Sequence, residues 1–254
     1  MIALVGNLSR DHLPGGRPSV GGGAYHGARA LQRLRVPARI VTRCAESDRA
    51  DLLPAIARLG TPVRYVPGGS TAEFSFTYDG DRRAMVVEAL GDEWRPDDLP
   101  LLPHVRWAHV GALSRHEFPS ETLAAFARGG RRLSFDGQGL VRVPEVGPLR
   151  LDAGFDRDVL RHLWVLKLAE EEAEVVGDPA ALGVREVVVT HGSRGSTVYW
   201  GGRSEFVRAH PLAGDPPGAG DAYAVAYVVG RNAGFSPPGA ARRATALVGA
   251  LLAL

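Results

Sequence analysis

Short apolar runs alternate along this chain with stretches in which apolar positions recur every three or four residues. IALVGN (2–7) predicts a first strand, and residues 24–35 predict a helix with Ala28, Leu31 and Leu34 on one face. ARIVTRC (38–44) predicts the next strand, followed by a helix over 47–59 with Ser47 as its cap. VRWAHVGAL, RRLSFD, WVLKL and EVVVTHG predict further strands separated by helical or loop segments, and two helices from about Ala219 and Pro238 close the chain. Such alternation predicts an α/β fold with a mainly parallel sheet and helices on both of its faces.

One region departs from the rhythm. Between residues 63 and 90 the chain reads VRYVP, TAEFSFTYDG and RRAMVVEAL, three strand-like runs with turn signals at 67–69 and 79–80. With no helix pattern between them they predict a local antiparallel patch, read either as an edge extension of the main sheet or as a small lid over a site.

Composition narrows the function classes. The 254 residues suit a single α/β domain over 1–254, and a formal charge of +2 gives no reason to expect nucleic acid or an anionic membrane as partner. Cys44 is the one cysteine, which excludes an intrachain disulfide and a cysteine-rich metal site. The longest apolar stretch, ALVGALLAL, falls short of the roughly 20 residues that span a bilayer, and the first residues carry no basic leader, so a cytoplasmic protein is expected. Lys167 is the one lysine among 30 Lys+Arg.

The candidate chemistry starts at DPPGAGDAYAVAYVVG (215–230), a small-residue turn that runs straight into a helix. Gly218, Ala219 and Gly220 leave the first helical N–H groups open to an anion, at the positive end of the helix dipole. Asp221 is a serviceable helix starter. A carboxylate beside bare amide donors also suits a base that takes a hydroxyl proton while the amides receive a phosphoryl group. GGGAYHG carries a spacing like that of dinucleotide-binding turns, but the segment before it, PGGRPSV, reads as a loop instead of a strand, and no Walker A motif is present.

DPPGAGD followed by a helix resembles the C-terminal signature of the PfkB (ribokinase-like) sugar kinases, usually DTxGAGD, with Pro216 in place of the threonine. GGGAYHGARALQRL resembles the family's N-terminal signature, with Gly21 and Gly22 as its glycine pair and His26 where asparagine is usual. THGSRG resembles the T-x-G-x-x-G nucleotide turn through Thr190, Gly192 and Gly195. LKLAEEEAEVV resembles the N-x-x-E motif through Glu172, with Ala169 replacing the asparagine. LKLAEEEA, DGQGLVRV (136–143) and VVVTHGSRGSTVYW look most like the branch that includes myo-inositol kinases.

This resemblance implies a ribokinase-like fold with a small antiparallel β lid over about 63–90, and ATP-dependent phosphorylation of a sugar or cyclic polyol such as an inositol. Asp221 would be the base, and Gly218, Ala219 and Gly220 the anion hole. Asp11, Gly21, Gly22 and His26 would bind substrate; Thr190, Gly192, Gly195 and Lys167 the nucleotide; and Glu172 Mg2+, through water. Lys167 would reach a phosphate or pair with a neighbouring glutamate. Taken alone, Asp11 and His26 are ordinary loop polar residues, and three successive glutamates suit a solvated helix start. Homodimerisation through the lid is a further implication. Two other readings stay open: a nucleoside kinase, with Phe74, Phe76 and Tyr78 near the base, and a binding protein without catalysis, suggested by His26, Ala169 and Pro216.

Overall fold

The structure, a computed structural model, describes residues 1–79, 82–209 and 218–252. Its main sheet has nine strands, in spatial order Arg203–Arg208, Gly195–Trp200, Glu186–Thr190, Leu163–Ala169, Arg132–Asp136, Trp107–Val110, Ile2–Asn7, Ala38–Ala45 and Val63–Gly68. From Glu186–Thr190 to Val63–Gly68 all run parallel, and the first two add an antiparallel hairpin at one edge.

Strand Ile2–Asn7 explains its own apolar run. All its residues are buried: Ile2 and Leu4 enter the core beneath one helical layer, while Ala3 and Val5 enter the core on the opposite face with Leu123 and Phe126. The first layer consists mainly of the helices Gly23–Leu34, Ala219–Asn232 and Pro237–Leu252. Helix Ala219–Asn232 packs against both the others, which is why it is apolar nearly all round instead of amphipathic.

The winding order creates a crevice. From Ile2–Asn7 the chain builds outward through Ala38–Ala45 to Val63–Gly68, then returns to the other side of the first strand as Trp107–Val110. Connections leave these neighbouring strands in opposite directions, and such a switch point opens a ligand site at the carboxyl ends of the strands. Here the start of helix Gly23–Leu34 is seated in it: a Cβ on Gly23 would lie 2.8 Å from the Cα of Gly111, just beyond Trp107–Val110.

A second sheet lies over this end, in the order Gly147–Pro148, Arg82–Ala89, Ala72–Asp79, Ser9–His12 and Ser19–Gly21. The hairpin Ala72–Asp79/Arg82–Ala89 matches the lid expected from the turn signal at 79–80. Its inner face packs Phe74, Phe76 and Val87 on Leu113 of the main body.

Three local expectations are corrected. Strand Val63–Gly68 is not part of the lid but the outer strand of the main sheet, parallel to Ala38–Ala45; alternation identifies a strand without saying which sheet it joins, and Pro67 is tolerated at an edge. Ser9–His12 and Ser19–Gly21 are lid strands where polar and glycine-rich sequence reads as loop; pairing of Ser9–His12 with Ala72–Asp79, and of Ser19–Gly21 with Ser9–His12, overrides their weak propensity. A strand therefore does precede the glycines of GGGAYHG, but it belongs to the lid and not to a βαβ unit. Ser47 lies inside a single 3-10 turn, Glu46–Asp48, and helix Arg49–Ala57 starts after it with no side-chain cap. Among the described residues, no helix is long and apolar enough to cross a membrane.

Candidate active site

Helix Ala219–Asn232 starts from Gly218, whose left-handed backbone (φ 86°) favours glycine and whose carbonyl accepts the N–H of Ala222 at 2.9 Å. The N–H groups of the first turn have no partners within the helix, and among the described residues no side chain caps this end. The glycines also make room for two side chains from elsewhere. A Cβ on Gly218 would stand 2.3 Å from Cγ of His26, and one on Gly220 would stand 3.0 Å from Nζ of Lys167. Asp215, Pro216 and Pro217 lie outside the described residues.

Asp221 follows directly and is 9% exposed. Its Oδ1 lies over the first turn of the other signature helix, 3.1 Å from where a Gly23 Cβ would be. Burial pushes its carboxyl up to about 7; Asp136 adds to the rise, and Lys167 and Arg142 oppose it. A carboxylate that titrates near neutral pH is well matched to taking a proton from a hydroxyl.

Lys167, expected to reach a phosphate or to pair with a neighbouring glutamate, has a partner the sequence did not suggest. Its ammonium pairs not with a following glutamate but with Asp136 on the adjacent strand, at 3.5 Å. Burial works against the charge, but the carboxylates of Asp136, Glu172 and Asp221 outweigh it and hold the ammonium above the usual lysine range. Of the three successive glutamates, Glu170 turns to His191 and Arg194, Glu171 is exposed, and Glu172 is buried. Glu172 Oε2 accepts the N–H of Ala169 at 2.8 Å, so the residue starts its helix while facing the cleft. Burial raises its carboxyl, with Lys167 opposing.

At the lid end, Asp11 accepts a hydrogen bond from the Ser9 hydroxyl at 2.7 Å, and burial raises its carboxyl. Gly21 leaves room for this group, since a Cβ there would be 2.0 Å from Asp11 Oδ2. Burial, aided by Arg29, pushes the His26 ring down to about 4, so at neutral pH it is an uncharged imidazole.

At the opposite end, Thr190 gives its hydroxyl to the carbonyl of Leu168, and Gly195 (φ 126°) is crowded by the backbone of Val207. Gly192 (φ 56°) faces open space. Both ring nitrogens of His191 are engaged, by Glu170 and Thr197, which fixes this loop.

One cleft of about 950 Å³ unites these groups. Its wall holds Asp11, Gly22, His26, Lys167, Glu172, Thr190, Gly192, Gly195 and the run from Gly218 to Asp221; Gly21 stands behind Asp11 instead. Phe74, Phe76 and Met85 cover the lid end, while the side chain of Tyr78 is not among those described. Sequence reasoning gave no role to Gln138 and Arg142, which also line the cleft, or to Asp136 behind Lys167. The available signal was RRLSFD, a core strand ending in a charge at the edge where such sheets bind ligands. Among the described residues, no group of three or more His, Cys, Asp or Glu is arranged to hold a metal directly.

This geometry agrees with what the chain resembles. Inositol 3-kinase from Zea mays is 32% identical over 180 residues, covering 67% of this chain and 46% of that protein. The chain spans about half the length of the curated relatives it matches. A pyrophosphate-dependent kinase in the ribokinase family, solved with a pyrophosphate analog and myo-inositol, superposes with a TM-score of 0.86 at 24% identity, over 99% of this chain and 95% of that one. Arabidopsis thaliana ribokinase, solved with ribose and ATP, gives 0.75 at 20% identity, over 100% and 92%. These superpositions establish a ribokinase-like fold. The profile of the pfkB family carbohydrate kinases matches residues 16–252, and the chain belongs to that family.

Proposed function

We propose that the protein transfers the terminal phosphoryl group of ATP to a hydroxyl of a sugar or cyclic polyol, with an inositol-like ring as the favoured acceptor. The observation that carries this reading is Asp221: a buried carboxyl, raised to about 7, in the first turn of a helix whose opening run, Gly218–Asp221, lines the same cleft. Its carboxylate takes the hydroxyl proton. The freed oxygen forms a bond to the terminal phosphorus, the bond from that phosphorus to the bridging oxygen breaks, and ADP leaves with the electron pair. Charge on the phosphoryl oxygens is met by the N–H groups of Gly218, Ala219, Gly220 and Asp221 and by Lys167.

The acceptor is held by Asp11, the neutral imidazole of His26 and the Gly22 backbone, with Gly21 making room for Asp11. Phe74 and Phe76 above them suit the C–H face of a ring. The donor lies along Thr190, Gly192 and Gly195, where Ala246 and Val248 supply an apolar wall for a base. The site fits a magnesium ion carried in on the donor phosphates: Glu172 would meet it through water, and the ion would shield phosphate charge. A nucleotide donor implies a cytoplasmic setting.

Two specific observations support rivals. Buried Phe74 and Phe76 also suit a nucleoside acceptor, and the pyrophosphate-dependent neighbour makes pyrophosphate a rival donor. The test crosses ATP·Mg2+ and pyrophosphate·Mg2+ with a panel of inositols, sugars and nucleosides, reading phosphorylated product. Transfer from ATP to an inositol or sugar is expected. Transfer only from pyrophosphate, or only to nucleosides, would replace the donor or acceptor named here, and binding with no transfer would make this a binding protein.

A further inference from the structure

Resting on the kinase reading above, we infer that Asp136 is a positioning residue: its carboxylate holds the Lys167 ammonium against the turn at Gly220, so that charge arriving with the phosphoryl group meets a cation already in place. Asp136 ends strand Arg132–Asp136 and stands directly opposite Lys167 in the parallel register. It is fully buried and does not line the cleft, whereas Lys167 does. One oxygen, Oδ1, accepts the N–H of Gln138 at 3.2 Å. The other, Oδ2, faces the ammonium at 3.5 Å and has no other hydrogen-bond partner among the described residues. The ammonium in turn lies 3.0 Å from where a Gly220 Cβ would be, inside the turn whose amides receive the phosphoryl group.

Stability alone gives little reason for the placement. Taking two charges out of water beside each other is often no better than an apolar pair of the same size. What the pair adds is location. A lysine on a flexible stem reaches many places, and Asp136 restricts Lys167 to one. The cation supplies charge and no proton: the acceptor's proton goes to Asp221, and the electrons of the broken P–O bond leave with ADP. Lys167 is therefore the link through which Asp136 acts.

The groups that face Asp221 are Asp136 and Asp11, which favour its protonated form, and Lys167 and Arg142, which favour its ionised form. Glu172 lies across Lys167, and His26, neutral, borders Gly218. Removing one member of the pair consequently moves Asp221 in a direction set by which member is removed.

The experiment uses the full chain with Asp136→Asn, Lys167→Met and the double variant; the last removes both charges of the pair together, so that neither is left facing a missing partner, and guards against a failure to fold. Carbon-13 NMR follows the Asp221 carboxyl in the ligand-free protein. Its midpoint should fall in Asp136→Asn and rise in Lys167→Met. Turnover of Asp136→Asn should drop about tenfold or more, in line with a displaced catalytic group, with acceptor KM little changed. The double variant should turn over no more slowly than Lys167→Met alone, because the aspartate has nothing left to position. Multiplicative losses in the double variant, or an Asp221 midpoint unmoved in both single variants, would overturn the assignment. If the parent protein transfers phosphoryl groups to no acceptor, the kinase reading falls by itself, and the NMR midpoints still decide whether the pair acts on Asp221.

Discussion

Two glycine-rich turns open helices into the same cleft, and they use their glycines in opposite ways. At the first, Gly21 makes room for the Asp11 carboxyl, but the two glycines at the helix start meet backbone: a Cβ on Gly22 would lie 2.3 Å from the carbonyl oxygen of Asn7, and one on Gly23 would lie 2.8 Å from the Cα of Gly111. These neighbours are backbone at the ends of two core strands and have nowhere to go. At the second, the neighbours are side chains: the His26 ring beside Gly218 and the Lys167 ammonium beside Gly220. Gly22 and Gly23 thus form a joint that seats a helix at the switch point of the sheet. The second is an opening that admits functional groups from other elements. Glycine content alone does not separate the two; what stands next to each missing Cβ does.

Substitutions that add one methyl group should break the two turns differently. Gly22→Ala combines a left-handed backbone (φ 96°) with a backbone clash, and we expect it to destabilise the fold by about 3 kcal/mol. Thermal unfolding should show a fall of roughly 6–12 °C for a chain of this size. Gly220→Ala sits in the first turn of a helix, where alanine is intrinsically better by ~1 kcal/mol, and its clash is with the far end of a lysine. Its melting temperature should hold or rise while kcat falls about tenfold through the displaced ammonium. If Gly220→Ala melted early with kcat intact, the second turn would be a joint as well.

The pH profile sharpens the contrast further. Asp221 acts as its carboxylate and is raised to about 7, so activity should climb with pH, level off above about 7 and fall roughly tenfold per unit on the acid side. His26, held near 4, is neutral throughout that range and should leave no limb of its own. His26→Asn, which restores the residue usual in the family, should therefore keep the profile and alter only acceptor KM, by less than about tenfold, as expected for one hydrogen bond. A shifted acid limb in His26→Asn would assign the titration to the wrong group.

The architecture was legible where the chain advertises its own period. IALVGN is a strand because its residues alternate between two cores, RRLSFD because Leu133 and Phe135 enter one core from alternate positions, and WVLKL because Val165 faces one core and Leu166 and Leu168 the other; the closing helices follow from their apolar spacing. Pairing partners were not legible. Val63–Gly68 reads as lid and joins the main sheet, while Ser9–His12 becomes lid strand only by lying beside Ala72–Asp79. The site divides along the same line. The run from Gly218 to Asp221 could be read from a motif because its amides and its carboxylate are contiguous in sequence. The Asp136–Lys167 pair could not, because it exists only through the register of two parallel strands. The raised carboxyl of Asp221 likewise depends on burial and on charges contributed by three other segments.

The central claim is that Asp221 is the base of a phosphoryl transfer received by the turn before it. Its most direct test is Asp221→Asn, measured twice on the same preparation: acceptor and donor binding by calorimetry, and transfer of label from [γ-32P]ATP·Mg2+ to the best acceptor. Binding should stay close to that of the parent protein while transfer falls by about 10²–10⁴-fold, the range for loss of a general base. Transfer near the parent rate with binding unchanged would contradict the account, since the proton would then be leaving by another route.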